Sequence, residues 1–195
     1  MNHRHSIARL SIGAGLAACV LLIAACSPSS APDPNAKKVL MACLVVSNID
    51  AGQILGGQLT AFRFSGDKSP VKVCAYNDAQ DTTRGLLQIQ KADKITDPAA
   101  DLAADQQQVQ KLFKNAITPL QTHPADGFGP GAFFVDNTQG PGATSVQLHL
   151  IQNGYKLMLQ VNNPKDFASG EKQASAMAQR AFANIQGGAA FQFVP

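Results

Sequence analysis

The chain has 195 residues, 45% of them hydrophobic, no tryptophan and a formal net charge of +3. Arg4 and Arg9 both lie within the first 25 residues, so a chain lacking that segment carries only about +1. This balance argues against a nucleic-acid binder, which needs a basic stripe. Two tyrosines and no tryptophan argue against aromatic platforms for stacking sugars.

Residues 1–9 are polar and lack acids, and residues 10–25 carry no charge at all. That is the pattern of a secretory signal, and it falls short of the ~20 residues preferred by a spanning helix. The string Ile23-Ala24-Ala25-Cys26 resembles the bacterial lipobox. The resemblance implies that Cys26 receives a diacylglycerol, that the chain is cut before it, and that the new amine is acylated with a palmitate-class chain. Several acyl chains on one residue anchor stably where one is marginal. The membrane is therefore an expected partner, reached through Cys26. Leu16-Ala17-Ala18-Cys19 fits the same pattern, but a cut there would leave an apolar stub at 20–25. An uncleaved signal anchor with a passive Cys26 is the remaining alternative. Residues 27–38, SPSSAPDPNAKK, read as an extended tether. The expected organisation is a signal peptide at 1–25, a tether at 26–38 and one domain at 39–195. Ser27, a non-aspartate after the cysteine, points to the outer membrane on its periplasmic side, with the outer face of the plasma membrane as the alternative.

Two cysteines remain, Cys43 and Cys74. In an exported domain such a pair reads as a disulfide, and closing a loop of ~30 residues stabilises by about 3–4 kcal/mol in the chain-entropy picture. A two-thiol metal site and a redox pair are alternatives. A redox pair usually has C-x-x-C spacing, and no nearby histidine helps a metal.

Residues 47–57, SNIDAGQILGG, predict a short helix capped by Ser47 or Asn48 and stopped by two glycines. Strands are expected at 59–64, 71–76 and 86–91. Asp97-Pro98 opens a helix in the favoured order of cap then proline. Leu102, Val109, Leu112, Phe113, Ala116 and Ile117 form its apolar stripe, residues 106–108 its wet side and Thr118-Pro119 its stop. A short strand is expected at 132–136. Asn153-Gly154 is then the favoured two-residue hairpin turn. It sets Leu150 against Leu157, Leu148 against Leu159 and Val146 against Val161 on one face. Gln147 with Gln160 and His149 with Met158 share the other face, His149 pointing outward. A last helix is expected at 169–185, with Ala174, Met177, Ala178, Ala181 and Ile185 as its buried stripe. The sum is an α+β domain, an antiparallel sheet covered by helices on one face. The two halves hint at a pseudo-repeat without matching residues.

The "QILGG" helix end, "VKVCAY", "GFGPGAFF", the "VQLHLIQNGYKLMLQV" hairpin and the closing Ala-rich helix resemble small exported bacterial lipoproteins of unknown function. These are best known in actinobacteria and relate to the extracellular sensor domain of some mycobacterial Ser/Thr kinases. The resemblance spans most of residues 40–186 and implies an envelope-exposed α+β domain with a disulfide. The sensor domain is often drawn with two disulfides; this chain can make only one. The group supplies no established catalytic residues.

Ser169-Gly170-Glu171-Lys172 has the S-x-x-K spacing of penicillin-recognising enzymes, but their partner motifs are missing, and Ser169 reads better as a helix cap. Ser65-Gly66-Asp67-Lys68 is a weaker match in a turn. His123 and His149 are too isolated for a metal site. Residues 127–131, GFGPG, are not a phosphate loop, because proline removes an amide donor. The loop at 122–131, with His123, Asp126, Gly127 and Gly129, is the place to look for a ligand. No catalytic set converges, so no catalytic residue, metal or cofactor is expected. The leading reading is a lipid-anchored envelope protein with a non-catalytic binding, sensing or accessory role towards an envelope protein or cell-wall partner. The alternative is a small envelope hydrolase.

Overall fold

The computed structural model describes residues 37–66, 68–113, 120–140 and 142–194. All of them belong to one compact unit, Asn35–Pro195. The expected signal peptide, Cys26 and most of the expected tether lie outside the described residues, as do Ala116, Ile117, Thr118 and Pro119. No helix among the described residues is long and apolar enough to cross a membrane.

Strand β1 (Lys37–Leu40) is followed by a single turn, α1 (Ala42–Val45), and by α2 (Asn48–Leu55). Ser47 caps α2, its hydroxyl accepting from the Asp50 amide at 3.1 Å. Gly56, at φ +87°, ends it. Strands β2 (Thr60–Arg63), β3 (Val71–Asn77) and β4 (Thr83–Lys91) come next, then α3 (Pro98–Leu112). The Asp97 carboxylate accepts from Ala100 N–H at 3.0 Å and starts α3 as the Asp-Pro pair requires. Strands β5 (Gln121–Pro124), β6 (Phe133–Asn137), β7 (Ser145–Gln152) and β8 (Tyr155–Asn162) follow, then α4 (Phe167–Gln186) and β9 (Phe191–Val194). The turn α1 and the strands β1, β5 and β9 were not expected. Lys37 and Lys38, assigned to the tether, already pair in β1.

Seven strands form one antiparallel sheet in the order β2-β3-β4-β8-β7-β6-β5. It consists of two meanders that meet at β4 and β8. The hairpin has the register dictated by Asn153-Gly154, with Leu150 opposite Leu157 and Val146 opposite Val161. One face carries Leu87, Ile89, Phe134, Leu148, Leu150, Leu157 and Leu159, all fully buried, under α1, α2 and α4. Helix α4 lies close on β7 because residue 170 is glycine: a Cβ there would meet Val146 Cγ2 at 2.5 Å. The α+β class with an antiparallel sheet stands as expected, and three helices share one face. The fourth, α3, lies on the other face, where Leu102 is buried against Phe133, Val135 and Ile151. Its stripe does not continue as a core: Leu112 is 72% exposed and Phe113 is 42% exposed.

Strands β1 and β9 form a separate two-stranded ribbon. Cys43 on α1 is bonded to Cys74 on β3, with Cα atoms 5.2 Å apart. The staple thus joins the start of the domain to its main sheet. Beside it, the buried Tyr76 hydroxyl donates to Val46 O at 2.7 Å. Burial, then the nearby Asp50 charge, pushes that phenol well above its usual range.

Candidate functional site

The face opposite the main core is half covered. Helix α3 crosses it and leaves a groove of about 340 Å³ between helix and strands. Val71, Val109, Leu112 and Met158 give the groove apolar walls, and Gln88 and Gln90 add amides. Strand alternation places Gln88, Gln90 and Met158 here, because each adjoins a strand residue committed to the core face, and α3 supplies Val109 and Leu112 from above.

A charged and polar cluster closes one end. Asp101 and Asp105 stand one helical turn apart on α3 and so share a face. Both reach Lys156 of β8: its ammonium lies 2.5 Å from Asp101 Oδ2 and 2.8 Å from Asp105 Oδ2. Burial alone would lower the Lys156 ammonium, but its hydrogen bonds to the two carboxylates, and their charges, outweigh burial and hold it above the usual value. His149 of β7 sits beside this cluster. Its ring stacks on Phe133 at 4.7 Å between centroids. Burial, opposed by Asp105 and reinforced by Lys156, pushes His149 down to about 4. It is therefore neutral at physiological pH.

The tautomer follows from a relay of amides across the same face. Asn162 Nδ2 donates to Thr83 O at 3.0 Å, and Gln160 Nε2 donates to Asn162 Oδ1 at 2.6 Å. Gln147 Nε2 donates to Gln160 Oε1 at 3.1 Å. Because a backbone carbonyl can only accept, each amide upstream is oriented in turn. Gln147 Oε1 is left to accept from His149 Nε2 at 3.1 Å. The neutral ring then has its lone pair on Nδ1, 4.0 Å from Asp105 Oδ2. Two acceptors face one another at the end of an apolar groove. A ligand N–H or O–H placed there donates to His149 Nδ1 and shares its hydrogen with Asp105 Oδ2, which also accepts from Lys156.

The loop favoured from sequence is arranged differently. Residues 121–124 are strand β5 rather than loop, paired to β6. His123 turns to the start of α4, its ring 4.5 Å from that of Phe167. The carboxylate within reach is Asp136, 3.9 Å from His123 Nε2, a nitrogen with no hydrogen-bond partner. Asp126 and Gly127 instead face the last turns of α4, lining a hollow of about 360 Å³ with Phe182 and Gln186. Phe128 is buried in the core. Gly127 and Gly129 have positive φ. Gly131 also has positive φ, and a Cβ there would meet Ala99 Cα at 2.9 Å. These glycines are accounted for by turn geometry and by close approach to α3.

Ser169 is the third residue of α4, not its cap. Asp166 caps the helix, and Ser169 completes a capping box by accepting from Asp166 N–H at 3.1 Å. His149 does point away from the main core, as expected, but α3 covers it. Sequence reasoning missed Asp101, Asp105 and Lys156. The available signal was a pair of aspartates four apart on a helix, with a lysine on the strand face shared by His149. No protein-family model, curated relative or solved structure matches this chain.

Proposed function

We propose that this chain is a lipid-anchored protein of the bacterial envelope with a non-catalytic binding role, and that its ligand lies in the groove beneath α3. The facing acceptors His149 Nδ1 and Asp105 Oδ2, at the end of an apolar groove, carry the reading of the site. They suit a small amphipathic molecule with an apolar body and an N–H or O–H donor at its end. Cys26 and the tether composition support the anchor. Outer-membrane placement on the periplasmic side follows from Ser27.

Two measurements test this. Intact mass of a Cys26→Ser chain should show an unlipidated precursor; normal diacylglycerol addition would remove the anchor. N-phenyl-naphthylamine, apolar with one N–H, should fluoresce on binding the mature protein. Met158→Glu and the exposed Leu112→Glu should each weaken that binding about tenfold or more by placing charge in an apolar site. Unchanged binding in both would move the ligand elsewhere. Hydrolysis of an envelope ester that is lost in His123→Ala would establish the hydrolase instead.

A further inference from the structure

A second hollow, of about 440 Å³, lies where the β1–β9 ribbon meets β3 and β4. Its lining includes Lys38, Lys72, Lys91 and Lys94, with Asp93 as the one acid, the Ser69 hydroxyl, and Leu40 among its apolar residues. Three cations on the rest of the domain are held by acids: Lys156 by two aspartates, Arg84 by Asp78 and Arg180 by Asp50. Here Lys38 lies 4.5 Å over the Phe191 ring, and Lys72 donates to Gly66 O at 3.1 Å. Among the described residues Lys38, Lys91 and Lys94 make no ion pair. On a domain that is nearly neutral overall, Lys38, Lys91 and Lys94 around one cavity, against the single acid Asp93, form a local excess of positive charge suited to an anion.

The position of the cavity says which anion. Strand β1 is where the described chain begins, and ten residues separate Lys37 from Cys26. Fully extended, they reach at most ~40 Å. The hollow therefore lies at the tethered end of the domain. Phe193 stands opposite Lys38 on the ribbon and is 60% exposed. A bare aromatic beside lysines suits the boundary between headgroups and acyl chains.

We propose that this hollow receives the phosphate headgroup of an anionic phospholipid, so that the domain touches the membrane with Phe193 at the interface. The membrane as the source of the phosphate rests on the anchoring proposed above. The unit Asn35–Pro195 holds the whole described core, both sheets and the disulfide, so a chain starting at residue 27, without acyl groups, is the material to use. It should float with vesicles of phosphatidylcholine and phosphatidylglycerol, not with phosphatidylcholine alone, and less as salt is raised. Lys91→Glu with Lys94→Glu should weaken binding at least about tenfold. Phe193→Ser should weaken it by about threefold. Lys165→Glu with Lys172→Glu makes the same change in net charge, with Lys165 near Arg84 at the opposite end of β4, and should leave binding within about twofold. Equal flotation with both vesicles, or equal loss in both double variants, would overturn the proposal. So would retention of soluble polyphosphate without vesicle binding. None of these outcomes depends on Cys26, whose own test is the mass measurement, so the two readings fail separately.

Discussion

The two faces of the seven-stranded sheet come from the same strands, read at alternate residues. On one, Leu148, Leu150, Leu157 and Leu159 meet three helices and are fully buried. On the other, their neighbours Gln147, His149, Lys156 and Met158 meet one helix, amides, charges and a groove. Burial of aliphatic side chains is non-directional and tolerates no water, so the first face is suited to stability. A relay of amides with fixed donors and acceptors is directional and leaves specific atoms free, so the second face is suited to recognition. One period-two pattern thus gives the two sides of a sheet their opposite characters, apolar packing on one and directional polar contacts on the other.

The sharpest way to break this comparison is a pair of truncations one residue apart. Leu148→Ala should cost ~3–4 kcal/mol, and Gln147→Ala on the groove face about 1 kcal/mol, both read from denaturant midpoints. Similar losses from the two would show that the groove face is a second core. The next largest effect belongs to the staple. Cys43→Ala with Cys74→Ala should cost ~3 kcal/mol in the same denaturation and leave binding of the naphthylamine dye unchanged, because the bridge lies on the core face. Loss of dye binding in the folded variant would couple the two faces. The third effect depends on pH. The unfolded imidazole of His149 titrates at its ordinary 6.5 and the folded one at about 4. Between those values the unfolded chain binds the extra proton, so this contribution is fully present above pH 6.5 and lost as pH falls towards 4, by up to ~3 kcal/mol. His149→Gln should remove that part of the acid slope. An unchanged slope would mean that the ring is not held neutral beneath α3.

The hairpin was legible in the sequence because Asn153-Gly154 fixes its register and the alternation of Val146, Leu148 and Leu150 fixes its face. Helix α4 was legible from Ala174, Met177, Ala178 and Ala181. Both signals are local. The ribbon was not legible: β1 and β9 are four residues each and pair across nearly the whole domain. The same limit applies to the groove. Parity alone placed His149 opposite the core, but only the landing site of α3, set by Leu102 against Phe133 and Ile151, turned that outward face into an enclosed one. The candidate histidine loop is arranged differently for a related reason. Asp126 is near His123 in sequence, but strand pairing of β5 with β6 delivers Asp136 instead.

The ribbon and the disulfide together form a two-stage mechanical coupling. Lys37 pairs with Val194, and each of the four rungs of β1 against β9 stands alone. A force that enters at Lys37 and lifts β1 away opens those rungs one at a time. It then meets Cys43, which is covalently fixed to Cys74 at the centre of β3, one strand in from the edge of the main sheet. Fully extended, the chain between Lys37 and Cys43 spans at most roughly 20 Å, and beyond that point the pull passes into β3 rather than unravelling α1. The first strand acts as a short reserve of length, and the bridge is its stop.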